Sequence, residues 1–197
     1  RIGMIFQEPM SSLNPLHTIE KQINEILLVH QGLSNKQARE KTLELLDMVE
    51  IQNPKKRLNA YPHELSGGQR QRIMIAMALA NSPDLLIADE PTTALDLTVQ
   101  SQVLNLIKNL QKKYNMAILL ITHDFGIVRN FSDKVAVMKA GTIVEFGETE
   151  QIFAKPQHKY TKSLIESEPT GNPVKISKKT ITYVSTNNLR IWFPIKK

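Results

Sequence analysis

With 197 residues, 41% of them hydrophobic and 22% charged, the chain has the composition of a globular protein of one domain, or of one domain and part of another. Its longest apolar runs, such as Ala117 to Ile121, are too short to span a bilayer, no charged-then-apolar secretory leader is legible, and the lack of cysteine excludes disulfides and thiolate metal sites. The net charge of +6 does not argue for nucleic acid: residues 1–169 carry 19 basic and 19 acidic side chains, and the remaining positives (Lys175, Lys178, Lys179, Arg190, Lys196 and Lys197) lie in an acid-free, linker-like tail.

Residues 2–6 predict a short apolar strand running into a polar loop, Gln7 to Pro15. Thr18 is placed to cap a helix on which Ile19, Ile23, Ile26 and Leu27 recur at helical spacing. Ser34 is a second N-cap, before a helix carrying Ala38, Leu45, Leu46 and Val49 on one side and ended by Asn53-Pro54. A helix from about Gln69 to Ala80 follows a Gly-Gly turn. Leu85 to Ala88 then reads as a strand buried on both faces of a parallel sheet. A helix near Thr98 to Lys113, a second buried strand (Ala117 to Ile121), a helix through Val128 and a strand near Lys134 to Met138 continue the alternation, which argues an α/β parallel sheet. Gly141 to Gly147 reads as a hairpin arm, 148–167 as short helices, 170–188 as a linker and 189–197 as the first strand of something new.

The chemistry gathers in three places. Asp89 and Glu90 end an apolar strand, at the edge where open α/β sheets bind ligands. One carboxylate there suits Mg²⁺, which keeps several waters and takes phosphate oxygens, and its neighbour is placed to polarise an attacking water. Leu65, Ser66, Gly67, Gly68 and Gln69 precede a helix whose start can bind an anion; on its own the segment reads as a plain N-cap with a glycine turn, and the downstream strand with its acidic pair turns the reading to phosphate binding. His123 follows another strand and, if the strands are parallel, shares the edge with Asp89, where it reads either as a γ-phosphate donor or as structural. Gln7, ending the first strand, is a weaker candidate for orienting water or touching Mg²⁺. The remaining histidines show no metal-ligand spacing.

At these residues the chain resembles the ATP-binding cassette (ABC) ATPases. Gln7 falls at the family's Q-loop, LSGGQ at 65–69 is its signature motif, LLIADE at 85–90 matches Walker B, Ala94-Leu95-Asp96 matches the D-loop and His123 the switch histidine. The resemblance implies a P-loop NTPase-like α/β cassette with a helical subdomain at 17–62, within a partial cassette spanning 1–169. It implies ATP and Mg²⁺ as ligands, with Asp89 and Gln7 holding Mg²⁺ and Glu90, His123 and Gln7 in catalysis. Residues 65–69 would contact ATP in trans, and Asp96 would serve the D-loop. Implied partners are a second cassette, transmembrane permease subunits and, indirectly, a solute-binding protein, with no nucleic acid. The implied location is peripheral, on the cytoplasmic face of the inner membrane. FQEPMSSLNPLHTI at 6–19, DEPTTALDLTVQ at 89–100 and IFAKPQHKYTKSLIESEP at 152–169 are similar to the dipeptide/oligopeptide importer branch, with Lys159 where that branch usually has proline. The tail LRIWFPIKK resembles the opening of a second cassette in double-cassette members, with Phe193 at the adenine-stacking position.

The family's G-x-x-x-x-G-K-[ST] phosphate cradle does not occur in these residues. The expectation is therefore a piece of an importer ATPase, with two alternatives: a non-transport ABC protein, or a fragment that is catalytically incompetent alone.

Overall fold

The computed structural model describes residues 1–93, 95–167 and 185–190. Strand β1 (Ile2–Ile5) opens the chain and is followed by a short helix, α1 (Pro9–Ser12). The polar loop expected from Gln7 to Pro15 is thus interrupted by a helical turn that starts on a proline, the residue best suited to a first helical position. Helix α2 (Ile19–Gln31) is capped by Thr18, whose side chain accepts from the Lys21 amide, and it ends at Gly32 in the left-handed region. Helix α3 (Asn35–Met48) starts with a capping box between Ser34 and Gln37. It stops at Met48, with Glu50 at φ 58°, so Asn53-Pro54 does not terminate it. That pair instead starts α4 (Pro54–Arg57), with Pro54 in the first turn.

A 3-10 turn (Pro62–Glu64) leads into α5 (Gly67–Leu79), which starts two residues earlier than expected because both glycines are helical. The rest follows as β2 (Leu85–Asp89), α6 (Leu97–Tyr114), β3 (Ala117–Ile121), α7 (Phe125–Phe131), β4 (Lys134–Lys139), β5 (Thr142–Glu148), α8 (Thr149–Ala154) and α9 (Lys159–Glu166). The expected linker at 170–188 and strand at 189–197, with Phe193, lie outside the described residues except for 185–190, which form neither helix nor strand.

Among the described residues the strands make two sheets. The first has the order β1-β2-β3, parallel throughout, with Ile2 opposite Leu85 and Leu85 opposite Ala117. The second is the antiparallel β4-β5 hairpin, so the strand at 134–139 does not extend the parallel sheet as the alternation suggested. A short loop after β4 favours pairing with the next segment in sequence, whereas a parallel partner needs a crossover.

Helix α5 is the centre of the packing. Ile73, Met74, Ile75, Ala76 and Leu79 are buried, and the helix touches α1, α2, α3, α6 and β1. Ile19, Ile23 and Leu27 of α2 and Ala38, Leu45 and Leu46 of α3 bury their stripes in the same core. Gly3 lets β1 approach α5: a Cβ there would lie 2.5 Å from the Ala78 carbonyl oxygen.

The opposite face of the parallel sheet is open. Leu86 and Ala88 are buried, but Ile2 (69% exposed), Met4, Leu119 (51% exposed) and Ile121 face outward. The β2 and β3 strands are therefore not buried on both faces among the described residues. Alternation decides this: residues at even spacing share one face, and α5 and α6 cover the other.

The hairpin anchors α9. The Glu145 carboxylate accepts from the backbone amides of Gln157 (2.7 Å) and His158 (3.0 Å), just before α9, and His158 Nδ1 accepts from the Tyr160 amide. These bonds, that from Gln157 foremost, hold the Glu145 carboxyl below the usual glutamate range. Lys139 Nζ lies 4.6 Å from the Tyr160 ring centroid, a second tie between hairpin and helix.

Two outcomes are expected. The 197-residue polypeptide alone should self-associate through the open sheet face at micromolar concentration, and a monomeric species in sedimentation velocity with one cooperative melt would contradict this. Because Glu145 is more acidic folded than unfolded, its contribution is present above the ordinary glutamate pKa and is lost as pH falls through the lowered folded value. Amide exchange in α9 should accelerate over that acidic window in the wild type and show no such pH step in Glu145→Gln.

Candidate functional site

Register builds the site. In the parallel sheet Ile5 lies opposite Ala88 and Asp89 opposite Ile121, so all three strands end on one edge. Two residues further along the first pair, Gln7 comes opposite Glu90; two residues past Ile121 comes His123. Gln7 Nε2 donates to Glu90 Oε2 at 3.0 Å, and His123 Nδ1 lies 3.0 Å from Glu90 Oε1. Three segments far apart in sequence converge on one carboxylate.

A further donor comes from a residue that sequence reasoning passed over. Thr93 Oγ1 donates to Glu90 Oε2 at 2.8 Å, and the Thr93 amide donates to the Glu90 carbonyl at 3.2 Å. Residues 90–93 thus form a turn with Pro91 at its second position, where proline's fixed φ is favoured. That Glu-Pro-x-Thr spacing was the available signal. Glu90 itself takes φ 43°, rare for a residue with a Cβ, while its amide donates to the Ile121 carbonyl at 2.9 Å.

Hydrogen bonding from His123 first, then from Thr93 and Gln7, holds the Glu90 carboxyl below the usual glutamate range. Its side chain is 22% exposed and that of His123 80% exposed, which leaves the imidazole facing solvent. The carboxylate is thus oriented and partly covered, with geometry suited to accepting a proton from water, while the same hydrogen bonds lower its basicity until a donor leaves.

Asp89, the last residue of β2, borders an open cleft of about 550 Å³ lined also by Phe6, Gln7, Glu8, Ser11 and Ser12. The short α1 helix supplies the two serines, whose hydroxyls donate to the Glu8 carbonyl. The described residues contain no cluster of three His, Cys, Asp or Glu able to hold a metal. Mg²⁺ does not need one: a single carboxylate, an amide oxygen, waters and substrate phosphates match its preference, so Asp89 and Gln7 fit that ion.

The 65–69 segment forms a separate group. Ser66 caps α5: its Oγ accepts from the Gln69 amide at 3.3 Å, and Gln69 Oε1 accepts from the Ser66 amide at 3.1 Å. Leu65 is buried. Gly67 and Gly68 make the first turn of the helix rather than a turn before it, and neither has a positive φ. Gly68 is required for another reason, since a Cβ there would meet Val99 Cγ1 at 2.7 Å, while one on Gly67 would touch Leu95 at 3.5 Å. The start of α5 therefore packs closely on the start of α6, where Asp96 accepts from the Thr98 and Val99 amides, each at 3.0 Å. Two helix N-termini lie side by side and both present backbone N–H groups. No hydrogen bond among the described residues joins this pair to the Glu90 cluster, and Ala94 lies outside the described residues.

Known proteins resemble this chain in sequence and fold. A family model described as ABC transporter matches residues 1–93, and one described as Oligopeptide/dipeptide transporter, C-terminal region, matches 144–188. The chain is 60% identical over 195 residues to the Peptidoglycan transport ATP-binding protein YejF of Agrobacterium fabrum, covering 99% of this chain and 36% of that protein. It is 57% identical over 169 residues to the Oligopeptide transport ATP-binding protein OppD of Bacillus subtilis, covering 86% of this chain and 47% of that one. Among solved structures, the dimeric post-hydrolysis state of an ATP-binding cassette bound to ADP and Pi superposes with a TM-score of 0.65 at 32% identity, covering 76% of this chain and 63% of the other. The chain thus spans well under two thirds of the length of these curated relatives.

Gly68→Ala in the full-length protein should lower stability by about 1–3 kcal/mol, because Val99 is branched and stiff in a helix and must move. Chemical denaturation measures it, and an unchanged midpoint would show that the two helix starts have slack.

Proposed function

Since the chain belongs to the ABC transporter ATP-binding family, we propose that it carries the hydrolytic residues of an ATPase that energises import of peptides or related solutes. The observation that carries this reading is the Glu90 carboxylate, fixed by Gln7, Thr93 and His123 at the C-terminal edge of a parallel sheet beside Asp89. Glu90 accepts a proton from water as the water oxygen bonds to the γ-phosphorus and the bond to the ADP oxygen breaks, giving ADP and inorganic phosphate. Asp89 and Gln7 would hold Mg²⁺, which when bound would neutralise charge on the phosphates. His123, exposed at the same edge, donates to the γ-phosphate.

The paired helix starts serve another nucleotide. Residues 65–69 contact the phosphates of ATP held by a second cassette, and Asp96 lies at the junction between the two. The names of the relatives, oligopeptide and peptidoglycan transport ATP-binding proteins, support a peptide-like cargo. Transmembrane permease subunits are the proposed partners, reached indirectly by a solute-binding protein. The proposed location is peripheral, on the cytoplasmic face of the inner membrane; no helix among the described residues is long and apolar enough to cross a membrane. Residues 1–169 form part of one cassette, with 17–62 as its helical subdomain. The match to YejF runs for 195 residues, but that to OppD for only 169, and the YejF match is the smaller share of its protein.

In the full-length protein, Glu90→Gln should retain ATP binding and lower turnover by roughly 10²-fold or more, the usual contribution of general-base catalysis. Steady-state phosphate release together with a nucleotide-binding titration checks it, and wild-type turnover would remove Glu90 from the mechanism.

A further inference from the structure

Of the donors on Glu90, only Thr93 is carried by Glu90's own turn. Gln7 is 83 residues away in sequence and His123 is 33 away, whereas Thr93 follows by three. We propose that Thr93 is a positioning residue: its hydroxyl keeps the Glu90 carboxylate aimed when Gln7 and His123 turn to other partners. The inference rests on the reading of Glu90 as the base.

In that reading Gln7 and His123 each have a second task, one at the cation and one at the γ-phosphate. Both sit on the ends of other strands, so any shift of those ends alters their bonds to Glu90. Thr93 is coupled differently. Its amide is bonded to the Glu90 carbonyl across a turn stiffened by Pro91, so its hydroxyl moves with Glu90 as a unit. The φ of 43° at Glu90 defines one particular backbone conformation, and the turn that stabilises it is the one that delivers the hydroxyl.

Counting acceptor positions supports the same role. A carboxylate offers about four lone-pair sites. Gln7 and Thr93 share Oε2 and His123 takes Oε1, which leaves one oxygen underused for a water. Thr93 occupying Oε2 directs the water toward Oε1 as His123 leaves it. Thr93 is exposed, so its side chain does not serve the core.

The test is steady-state ATP hydrolysis by the full-length protein. Thr93→Val should lower kcat about tenfold, the worth of one hydrogen bond to a charged group, with KM and melting temperature unchanged. Thr93→Ser should restore most of the loss. In a Glu90→Gln background, adding Thr93→Val should change nothing further, since the two act through one carboxylate. Wild-type kcat in Thr93→Val, or equal impairment in Val and Ser variants, would overturn the role of the hydroxyl while Glu90→Gln remains inactive. Should Thr93→Val melt early, Thr93→Ala replaces it, and an Ala variant with normal kcat refutes the proposal. Full turnover in Glu90→Gln would instead sink the base assignment itself.

Discussion

Everything at the candidate site depends on the register of three parallel strands. β2 is bonded on one side to β1 and on the other to β3, and all three run the same way. Parallel pairing aligns strand ends, so the residues just beyond Ile5, Asp89 and Ile121 must meet. A slip of one residue would turn the side chains of a strand to the opposite face and break the Gln7–Glu90 and His123–Glu90 contacts together. The burial of Leu86 and Ala88 against α5 and α6 prevents that slip, because the same slip would expose them. Core packing and site geometry are thus set by one constraint.

Helix α5 connects the two halves of the chemistry. Its body is buried among α2, α3, α6 and β1, and its N-terminus carries residues 65–69. Gly68 at its start and Gly3 beneath its end do comparable work: each removes a Cβ where a stiff side chain or backbone comes close. Gly68 in LSGGQ is therefore a packing requirement between helix starts, beside the part proposed for the segment in meeting an anion. Ser66 and Gln69 cap the helix and orient its first amides, so the local structural role and the proposed phosphate-binding role reinforce each other.

The open apolar face of the sheet and the exposed Met138, Ile143 and Phe146 of the hairpin belong to a chain that spans 36% and 47% of the relatives compared with it. Their outward side chains are what the alternation of β-strands produces when helices cover a single face. The C-terminal element is self-sufficient by contrast. Glu145, His158 and the Lys139–Tyr160 contact tie α9 to the hairpin, and the lysine at 159 enters that helix without displacing the bonds on either side of it.

Local signals in the sequence were enough for what local bonds govern. Thr18 and Ser34 each cap a helix where the residue types indicated, because a cap is satisfied within three residues of its own position, and Ser66 and Asp96 cap theirs by the same local bonds. The apolar runs at 85–88 and 117–121 are strands, and the carboxylates at 89 and 90 lie at the edge where the parallel strands end. Sequence could not show that β3 is half exposed, that β4 leaves the parallel sheet, or that Asn53-Pro54 opens a helix, since pairing partners and burial depend on distant segments. Thr93 belongs to both classes: its turn is local, but the value of its hydroxyl emerges only where Gln7 and His123 arrive from elsewhere in the chain. By itself the sequence determined the longer elements, the caps at Thr18 and Ser34 and most of the residues gathered at the strand ends. Which of those residues share one carboxylate was decided by tertiary structure, because only the parallel register brings three remote strand ends within hydrogen-bonding distance.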